Sequence, residues 1–283
     1  MADPVLYKAR ARAAWLTLNA PAVHNALGPE LVGGLDTALA RAVADEAVRV
    51  IVLTGAGRSF CAGLDLKGGS DAFRRPGDGD APSPYERLVR AFWECPKPII
   101  GRIQGGAFGA GFGLVLCCDV TVAAETAEFA VTELRFGMPP TLIPLMLHHR
   151  QLLGAVRSLL FTGERFDARR AQALHIVHEV AAAPQLDETV AACGARLLKC
   201  APGALATAKT IQRALPAMTF AEGLTFAAGH LSRALSSSEA REGFAAFGER
   251  RAPRWTAGRQ PNAAARRSRR TPPDRVKPDR VKR

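Results

Sequence analysis

The pattern of apolar and polar positions divides the chain into two parts at about residue 141. Before that point, short apolar runs alternate with segments in which apolar residues recur at helical intervals. The runs Val48–Leu53 (VRVIVL) and Ile99–Ile103 (IIGRI) are the strongest strand signals, because apolar runs rich in β-branched residues are typical of strands buried on both faces. Between Pro29 and Val43, the apolar residues follow the spacing of an amphipathic helix.

The remaining segments extend this pattern. Three further runs are predicted to be strands: Ala13–Leu18, Val120–Ala123 and Glu128–Val131. Further helices are predicted over Tyr85–Trp93, Leu142–His149, Ala155–Phe161, Ala168–Leu174, Glu188–Leu198, Leu205–Leu215 and Phe220–Ala234. Strands that alternate with helices, followed by helices alone, indicate an α/β core with a helical C-terminal portion.

The positive charge of the chain is concentrated at its C-terminal end. The 283 residues carry a net charge of +12, but residues 250–283 contain thirteen Lys or Arg and two Asp or Glu, which leaves +1 for residues 1–249. Residues 258–283 are rich in Arg and Pro, so they are predicted to form a disordered basic tail. A basic arm that binds nucleic acid or anionic lipid is the alternative, but we do not expect the folded part to bind nucleic acid.

Cysteine usage and hydropathy exclude several classes of protein. The six cysteines form no CxxC pair and have no histidine at metal-ligand spacing, so we expect reduced thiols and no metal site. No apolar run is long enough to span a bilayer, and the N-terminus has no apolar signal segment. These observations predict a cytoplasmic protein without a membrane partner.

Two runs of small residues carry the candidate chemistry. Phe60–Leu66 reads FCAGLDL and Gly105–Gly113 reads GGAFGAGFG. Each run follows a predicted buried strand, and bare backbone lets a ligand approach main-chain N–H groups. Two such groups that converge on one oxygen atom form an oxyanion hole. Spacing alone leaves two alternatives open, namely tight helix packing and a dinucleotide site, although the second run has the spacing GxGxG rather than GxGxxG.

The runs, taken in order with their flanking segments, resemble the crotonase superfamily, the enoyl-CoA hydratase/isomerase family. The resemblance rests on LNAPAVHNAL, VRVIVLTGAGRSFCAGLDLKG, IQGGAFGAGFGLVLCCDVTVAAETAEFAVTELRFGMPP and FTGERFDARRAQALHIVHEV, and extends from about Val5 to Gly258. It implies a spiral of ββα units over residues 1–195 and a helical C-terminal region over residues 196–257 that builds trimers, often paired into hexamers. It also implies an acyl-CoA substrate, of which coenzyme A is a part, and no metal or redox cofactor.

The resemblance also assigns the binding residues. The oxyanion donors are the backbone N–H groups of Leu64 and Ala110, where most relatives have glycine at the second position. The path of coenzyme A is implied to pass His24, Asn25 and Ala26. The other residues implied to bind the substrate or coenzyme A are Ala62, Gly63, Asp65, Leu66 and Gly109; Asp65 is also expected to brace the backbone of its turn.

One expected acid is missing from the sequence. By resemblance, straight-chain hydratases use two glutamates, and the first of these positions is Gly113 here, whereas the second is Glu133. Addition of water across C2=C3 of an enoyl thioester needs a base and an acid. We therefore expect a hydratase-type lyase in which Glu133 serves both roles. The alternatives are a 3-enoyl-CoA isomerase with Glu133 as proton shuttle and a catalytically degenerate acyl-CoA-binding protein.

Overall fold

Two β-sheets form the centre of the molecule in the computed structural model, which describes residues 3–67, 70–77 and 81–256. The larger sheet has the strand order β1-β2-β3-β4-β6-β9, and the smaller has the order β5-β7-β8. The strands are β1 (Val5–Arg10), β2 (Ala13–Leu18), β3 (Val50–Gly55), β4 (Ile99–Ile103), β5 (Ala107–Phe108), β6 (Val120–Ala124), β7 (Glu128–Ala130), β8 (Phe166–Asp167) and β9 (Glu179–Ala181).

Helices cover both faces of the larger sheet and make up most of the second half of the chain. From β2 to β9 neighbouring strands of this sheet are parallel, whereas β1 is antiparallel to β2. The helices are α1 (Pro29–Ala44), α2 (Pro84–Glu94), α3 (Ala110–Leu116), α4 (Leu142–His149), α5 (Leu153–Thr162), α6 (Ala168–Ala173), α7 (Leu186–Leu198), α8 (Pro202–Ala214), α9 (Phe220–Leu235) and α10 (Ser238–Gly248). The order confirms the predicted α/β fold with a helical C-terminal portion.

Strand β3 is buried on both faces, as its composition predicts. Ile51 and Leu53 belong to the main hydrophobic core, with side chains of α1, α2 and α3. Val50 and Val52 face the opposite side, where they pack in a second core with Leu186 of α7. Alternate residues of a strand point to opposite faces, so a continuous apolar run fills both layers. The observed strand begins two residues later than the sequence predicted.

Several elements have no signal in the sequence. Strand β1 packs only Val5 inward and is otherwise half-buried or exposed, so it lacks the alternation that identifies a strand. Strands β5, β8 and β9 have only two or three residues, which is too short for any period. Helix α10 was also not predicted. The predicted basic tail, residues 258–283, lies outside the described residues.

The C-terminal helices attach to the sheet through a buried cation. Lys209 of α8 is buried, and its ammonium donates to Asp119 (2.5 Å) and to the backbone oxygen of Lys97 (2.8 Å). Beyond this anchor, α9 and α10 expose large apolar side chains; Phe220 and Phe247 are each 87% exposed. Within the described residues, no helix combines the length and hydropathy needed to cross a membrane. The predicted cytoplasmic location stays a prediction.

A buried amide fixes the loop that follows β3. The Asn25 side chain is 0% exposed; its oxygen accepts from the N–H of Ala20 (2.9 Å). Its Nδ2 lies 2.9 Å from the backbone oxygens of Ala56 and Ser59 and 3.1 Å from that of Phe60. Asn25 therefore fastens the chain at the start of the FCAGLDL run. It was expected near coenzyme A, but its side chain points into the protein.

We expect Asn25→Ala to lower the free energy of unfolding by about 2–4 kcal/mol, because several buried main-chain groups lose their partner at once. Urea unfolding measures this change. Asn19→Ala is the matched control: its amide makes one exposed bond, to the oxygen of Asp3 (2.9 Å), and its loss costs about 1 kcal/mol or less. Equal losses in the two variants would contradict the clamping role.

Candidate active site

The two small-residue runs lie side by side in the structure. Strands β3 and β4 are parallel neighbours, so the segments that follow them leave the same edge of the sheet. Cys61 and Ala107 then form a parallel bridge. The N–H of Phe108 donates to the oxygen of Cys61 (3.0 Å), and the N–H of Cys61 donates to the oxygen of Gly106 (3.1 Å). The predicted convergence of the two runs is confirmed.

Glycine is required where the runs touch. Gly63 has a φ of +92°, and a Cβ atom there would lie 2.6 Å from the oxygen of Phe108 and 3.3 Å from the nitrogen of Ala110. A contact of 2.6 Å with backbone leaves no room for a side chain. The absence of a side chain at Gly63 thus lets the Leu64 turn sit directly against the first residue of α3.

The N–H of Leu64 is directed away from its own neighbours. Leu27 and Leu64 form a parallel bridge, in which Leu27 donates to the oxygen of Gly63 (2.7 Å) and Asp65 donates to the oxygen of Leu27 (3.2 Å). In a parallel bridge of this kind the residue between the two bonded neighbours points its own N–H to the other side. That N–H therefore faces away from Leu27, and none of the hydrogen bonds among the described residues uses it.

The N–H of Ala110 is free for a different reason. Gly109, with φ +51° and ψ −125°, precedes α3, and Ala110 is the first helical residue. The first N–H groups of a helix have no acceptor in the preceding turn, and the helix dipole places partial positive charge there. Gly109 itself donates to the oxygen of Ala130 (3.0 Å), which fixes the turn that presents Ala110.

A cavity of about 800 Å³ opens at this junction. Leu64, Ala110 and Glu133 all contribute to its wall, so the three predicted catalytic residues meet in one place. Apolar side chains form much of the rest: Leu66, Phe73, Phe108, Phe136, Met138 and Ile143. Phe73 belongs to the segment that follows FCAGLDL.

Glu133 supplies an ionisable group in the cavity wall. It begins a short 3-10 helix, Glu133–Phe136, just after β7. Its Oε1 lies 3.2 Å from the position of a Cβ atom at Gly109, and its Oε2 is buried with no hydrogen-bond partner among the described residues. Burial raises the pKa of Glu133, although backbone hydrogen bonds partly oppose the rise. A buried carboxyl group with a raised pKa holds its proton more readily than an exposed one, which is a property of catalytic acids and bases.

Two nearby charged residues, Arg135 and Glu86, make contacts with other partners and not with Glu133. Arg135 is exposed, and its guanidinium donates to the oxygen of Thr162 (3.4 Å), so it points away from Glu133. Glu86 also lines the cavity, but the Arg75 guanidinium, 2.5 Å away, and the N–H of Ser83 lower the pKa of Glu86 to about 2. Glu86 is thus a fixed anion, whereas Glu133 is the group that can exchange protons.

The predicted binding residues divide into two groups. Ala62, Leu66 and Gly109 line the cavity with the catalytic candidates. Gly63 lies directly behind it, against Ala110. His24, Ala26 and Asp65 are not among the described residues that form its wall.

The residues outside the cavity wall have their own contacts. Nδ1 of His24 lies 3.0 Å from Oγ of Ser59, and its Nε2 lies 3.3 Å from the guanidinium of Arg58. Asp65 accepts from the N–H of Lys67 (3.0 Å), as expected for a residue that braces the turn. Contact of these residues with coenzyme A stays a prediction.

Cysteine and metal chemistry have no support at this site. All six cysteines are free thiols, and burial raises the pKa of Cys61 and of Cys117 to about 12, so neither forms a thiolate near neutral pH. Over the described residues, no group of three or more His, Cys, Asp or Glu is placed to hold a metal ion.

Tyr85 and Arg165 are among the cavity residues that the sequence reasoning missed. The guanidinium of Arg165 lies 4.9 Å from the centre of the Phe108 ring, at the same wall as Glu133. These residues come from distant segments, and only the Ser83–Glu86 helix start gave a local signal, because SPYE is a capping-box sequence.

Comparisons with known proteins agree with this site. The protein-family model described as enoyl-CoA hydratase/isomerase matches residues 8–259. A carnitinyl-CoA dehydratase of Proteus mirabilis is 34% identical over 217 residues, which cover 75% of this chain and 82% of the relative.

Solved structures share the fold. An enoyl-CoA hydratase/isomerase of Marinobacter aquaeolei has a TM-score of 0.80 and 31% identity over 90% of this chain and 100% of its own. An enoyl-CoA hydratase of Shewanella pealeana has a TM-score of 0.81 and 27% identity over 89% and 96%.

We expect Glu133→Gln to stabilise the protein increasingly as pH rises. Because folding raises the pKa of Glu133, its contribution to stability is full below its unfolded pKa and is lost as pH rises through the folded pKa. Glutamine cannot ionise, so it avoids this loss. Urea unfolding at about pH 5 and about pH 8 measures the difference. The exposed Glu164→Gln is the control; a Glu133→Gln effect as independent of pH as that of the control would contradict the burial of a charge.

Proposed function

This chain belongs to the enoyl-CoA hydratase/isomerase family, and we propose that it is a hydratase-type lyase acting on a 2-enoyl-CoA thioester. In the proposed reaction, water adds across C2=C3, or leaves the 3-hydroxyacyl-CoA in the reverse direction. One observation carries the proposal: the backbone N–H groups of Leu64 and Ala110, which make no hydrogen bond recorded among the described residues, share a cavity with Glu133, whose buried Oε2 has no partner there. The name of the dehydratase relative, which describes removal of water, supports a lyase.

The two N–H groups bind the thioester oxygen in this proposal. As water attacks C3, the electron pair of C2=C3 moves toward C1, and negative charge develops on the carbonyl oxygen. The N–H of Leu64 and the N–H of Ala110 donate to that oxygen, and the dipole of α3 favours the charge. Loss of one such donor costs on the order of 10²–10³ in rate in other enzymes.

Glu133 moves the proton. Its carboxylate takes one proton from the attacking water, while the water oxygen bonds to C3. The protonated carboxyl then gives that proton to C2 as the enolate collapses, so the carboxylate is regenerated and the atoms balance. A single group acting on one face of the substrate adds the hydroxyl and the hydrogen on the same side. General acid–base catalysis of this kind contributes about 10²–10⁴-fold.

The proposal also gives a place to the acyl chain and to coenzyme A. The acyl chain lies in the apolar cavity, and the nucleotide end of coenzyme A extends toward His24 and Ala26, where Arg58 and Lys67 supply positive charge for its phosphates. No metal or redox cofactor takes part in the proposed reaction. The exposed apolar side chains of α9 and α10 are proposed to be covered in a homotrimer or hexamer.

Isomerisation of a 3-enoyl-CoA is the second candidate. Two observations favour it. Gly113 supplies no second acid, and the ion pair with Arg75 keeps Glu86 ionised, so that Glu86 does not supply one either. In that reaction Glu133 takes a proton from C4 and returns it to C2. A protein that only binds acyl-CoA is the third candidate, and it predicts binding without turnover.

A panel of 2-enoyl- and 3-enoyl-CoA thioesters, with product analysis, tests the proposal. We expect the wild-type protein to form 3-hydroxyacyl-CoA from at least one 2-enoyl-CoA. Glu133→Gln should lower kcat by about 10²–10⁴-fold and leave the Kd for a saturated acyl-CoA within about threefold, because the backbone donors are intact. Glu164→Gln should have wild-type kcat. A moved double bond without added water would support the isomerase, and full activity of Glu133→Gln would refute its role.

A further inference from the structure

A tyrosine hydroxyl occupies the space beside Gly113. A Cβ atom at Gly113 would lie 2.9 Å from the hydroxyl oxygen of Tyr85 and 3.1 Å from Cε of Met146. Tyr85 is 3% exposed and lines the same cavity as Glu133. The Tyr85 hydroxyl is therefore in contact with the position at which a side chain of residue 113 would begin.

The start of α2 holds the tyrosine in place. Ser83 and Glu86 form a reciprocal capping box, with Pro84 at the first helical position, so Tyr85 lies in a well-defined first turn. The ring of Phe73 packs on the Tyr85 ring, with 4.5 Å between centroids. Helix capping and ring packing together leave the hydroxyl little freedom to move.

The Tyr85 hydroxyl stays protonated and donates a hydrogen bond to the backbone. Tyr85 donates to the oxygen of Ala110 (2.9 Å), the residue whose N–H faces the thioester. Burial raises the pKa of Tyr85 well above its usual value, and the charge of Glu133 adds to the rise. Because the one hydroxyl proton is committed to Ala110, the oxygen remains available only as an acceptor.

Tyr85 and Glu133 line the same cavity beside the first turn of α3. Glu133 approaches the Cβ position of Gly109, and Tyr85 approaches that of Gly113; the N–H of Gly113 donates to the oxygen of Gly109 (3.1 Å) and closes this turn. Both groups therefore border the part of the cavity next to the start of α3.

We propose that the Tyr85 hydroxyl oxygen and the Glu133 carboxylate together hold the water that adds to C3, a role that rests on the proposed hydratase function. The water donates one hydrogen to Glu133, which takes it as a proton. It donates its other hydrogen in a hydrogen bond to the Tyr85 oxygen; this hydrogen stays on the water oxygen and becomes the hydroxyl hydrogen of the product. The water oxygen bonds to C3. Tyr85 neither gains nor loses a proton, so it orients water in place of the absent second carboxylate.

Tyr85→Phe tests this role, because it removes the oxygen and keeps the ring. We expect kcat for hydration to fall roughly 10- to 100-fold, the effect of one lost hydrogen bond to a reacting group. Exchange of the C2 hydrogens of a saturated acyl-CoA with deuterium oxide needs Glu133 and the backbone donors but no water attack on C3. That exchange rate should stay within roughly threefold of wild type, because its participants are unchanged.

Tyr7→Phe is the matched control. The chain has two tyrosines, and the Tyr7 hydroxyl is buried without a hydrogen-bond partner among the described residues, on the edge strand β1. Its removal should leave both rates unchanged. Urea unfolding of the two variants checks that each is folded.

The outcomes separate the two proposals. Loss of hydration with retained exchange supports water orientation by Tyr85. Unchanged hydration in Tyr85→Phe overturns it, and so does an equal fall in both rates, which would mean that Tyr85 acts only by positioning Ala110. If the wild-type protein exchanges C2 hydrogens but hydrates no 2-enoyl-CoA, the hydratase function itself fails and this role fails with it.

A second variant moves the hydroxyl without removing it. Gly113→Ala places a methyl group 2.9 Å from the hydroxyl oxygen, so Tyr85 must shift. We expect hydration to fall in this variant too, with little further loss in the Gly113→Ala/Tyr85→Phe double variant, because the two changes remove the same contact. Fully additive losses would contradict a shared role.

Discussion

The contact of backbone on backbone between Gly63 and the start of α3 is the constraint on which the site depends. The Leu64 turn can meet Ala110 only because residue 63 has no side chain: a Cβ atom there would press against the oxygen of Phe108 at 2.6 Å. Parallel pairing of β3 with β4 brings the two segments to one edge, and the buried amide of Asn25 fixes the first of them. Several elements of the fold thus serve to position the two N–H groups.

In the proposed mechanism, those N–H groups explain how one ionisable residue can suffice. Uncharged donors at a helix start stabilise a developing negative charge and undergo no change of protonation themselves. Proton transfer is then the proposed role of Glu133, whose pKa is raised by burial. The other carboxylate of the cavity, Glu86, is tied to Arg75 and caps α2. Its task is structural, and through α2 it sets the position of Tyr85.

The sequence suggested the core of the candidate site through motifs that resemble those of a known family, and the structure brings the named residues together; their catalytic roles stay predictions. The two small-residue runs, Leu64, Ala110 and Glu133 lie in segments whose character is visible over a few residues, and their strands carry a clear apolar signal. Tyr85 could not be found in this way, because its role arises from the hydrogen bond of its hydroxyl to the oxygen of Ala110, a residue 25 positions further along the chain. Asn25 was expected near the path of coenzyme A, and the burial of its side chain could not be predicted, because a buried polar residue leaves no local sequence signal. Strands of two or three residues carry no period, so β5, β8 and β9 were missed.

The carbonyl stretching frequency of a bound thioester tests the central claim most directly. A saturated acyl-CoA labelled with carbon-13 at C1 gives a band that isotope-edited infrared difference spectroscopy isolates from the protein amides. Two N–H groups on one oxygen weaken the C=O bond, so the band should move to lower wavenumber on binding, in wild type and in Glu133→Gln alike. A bound band at or above the frequency of the same thioester in water would contradict the account.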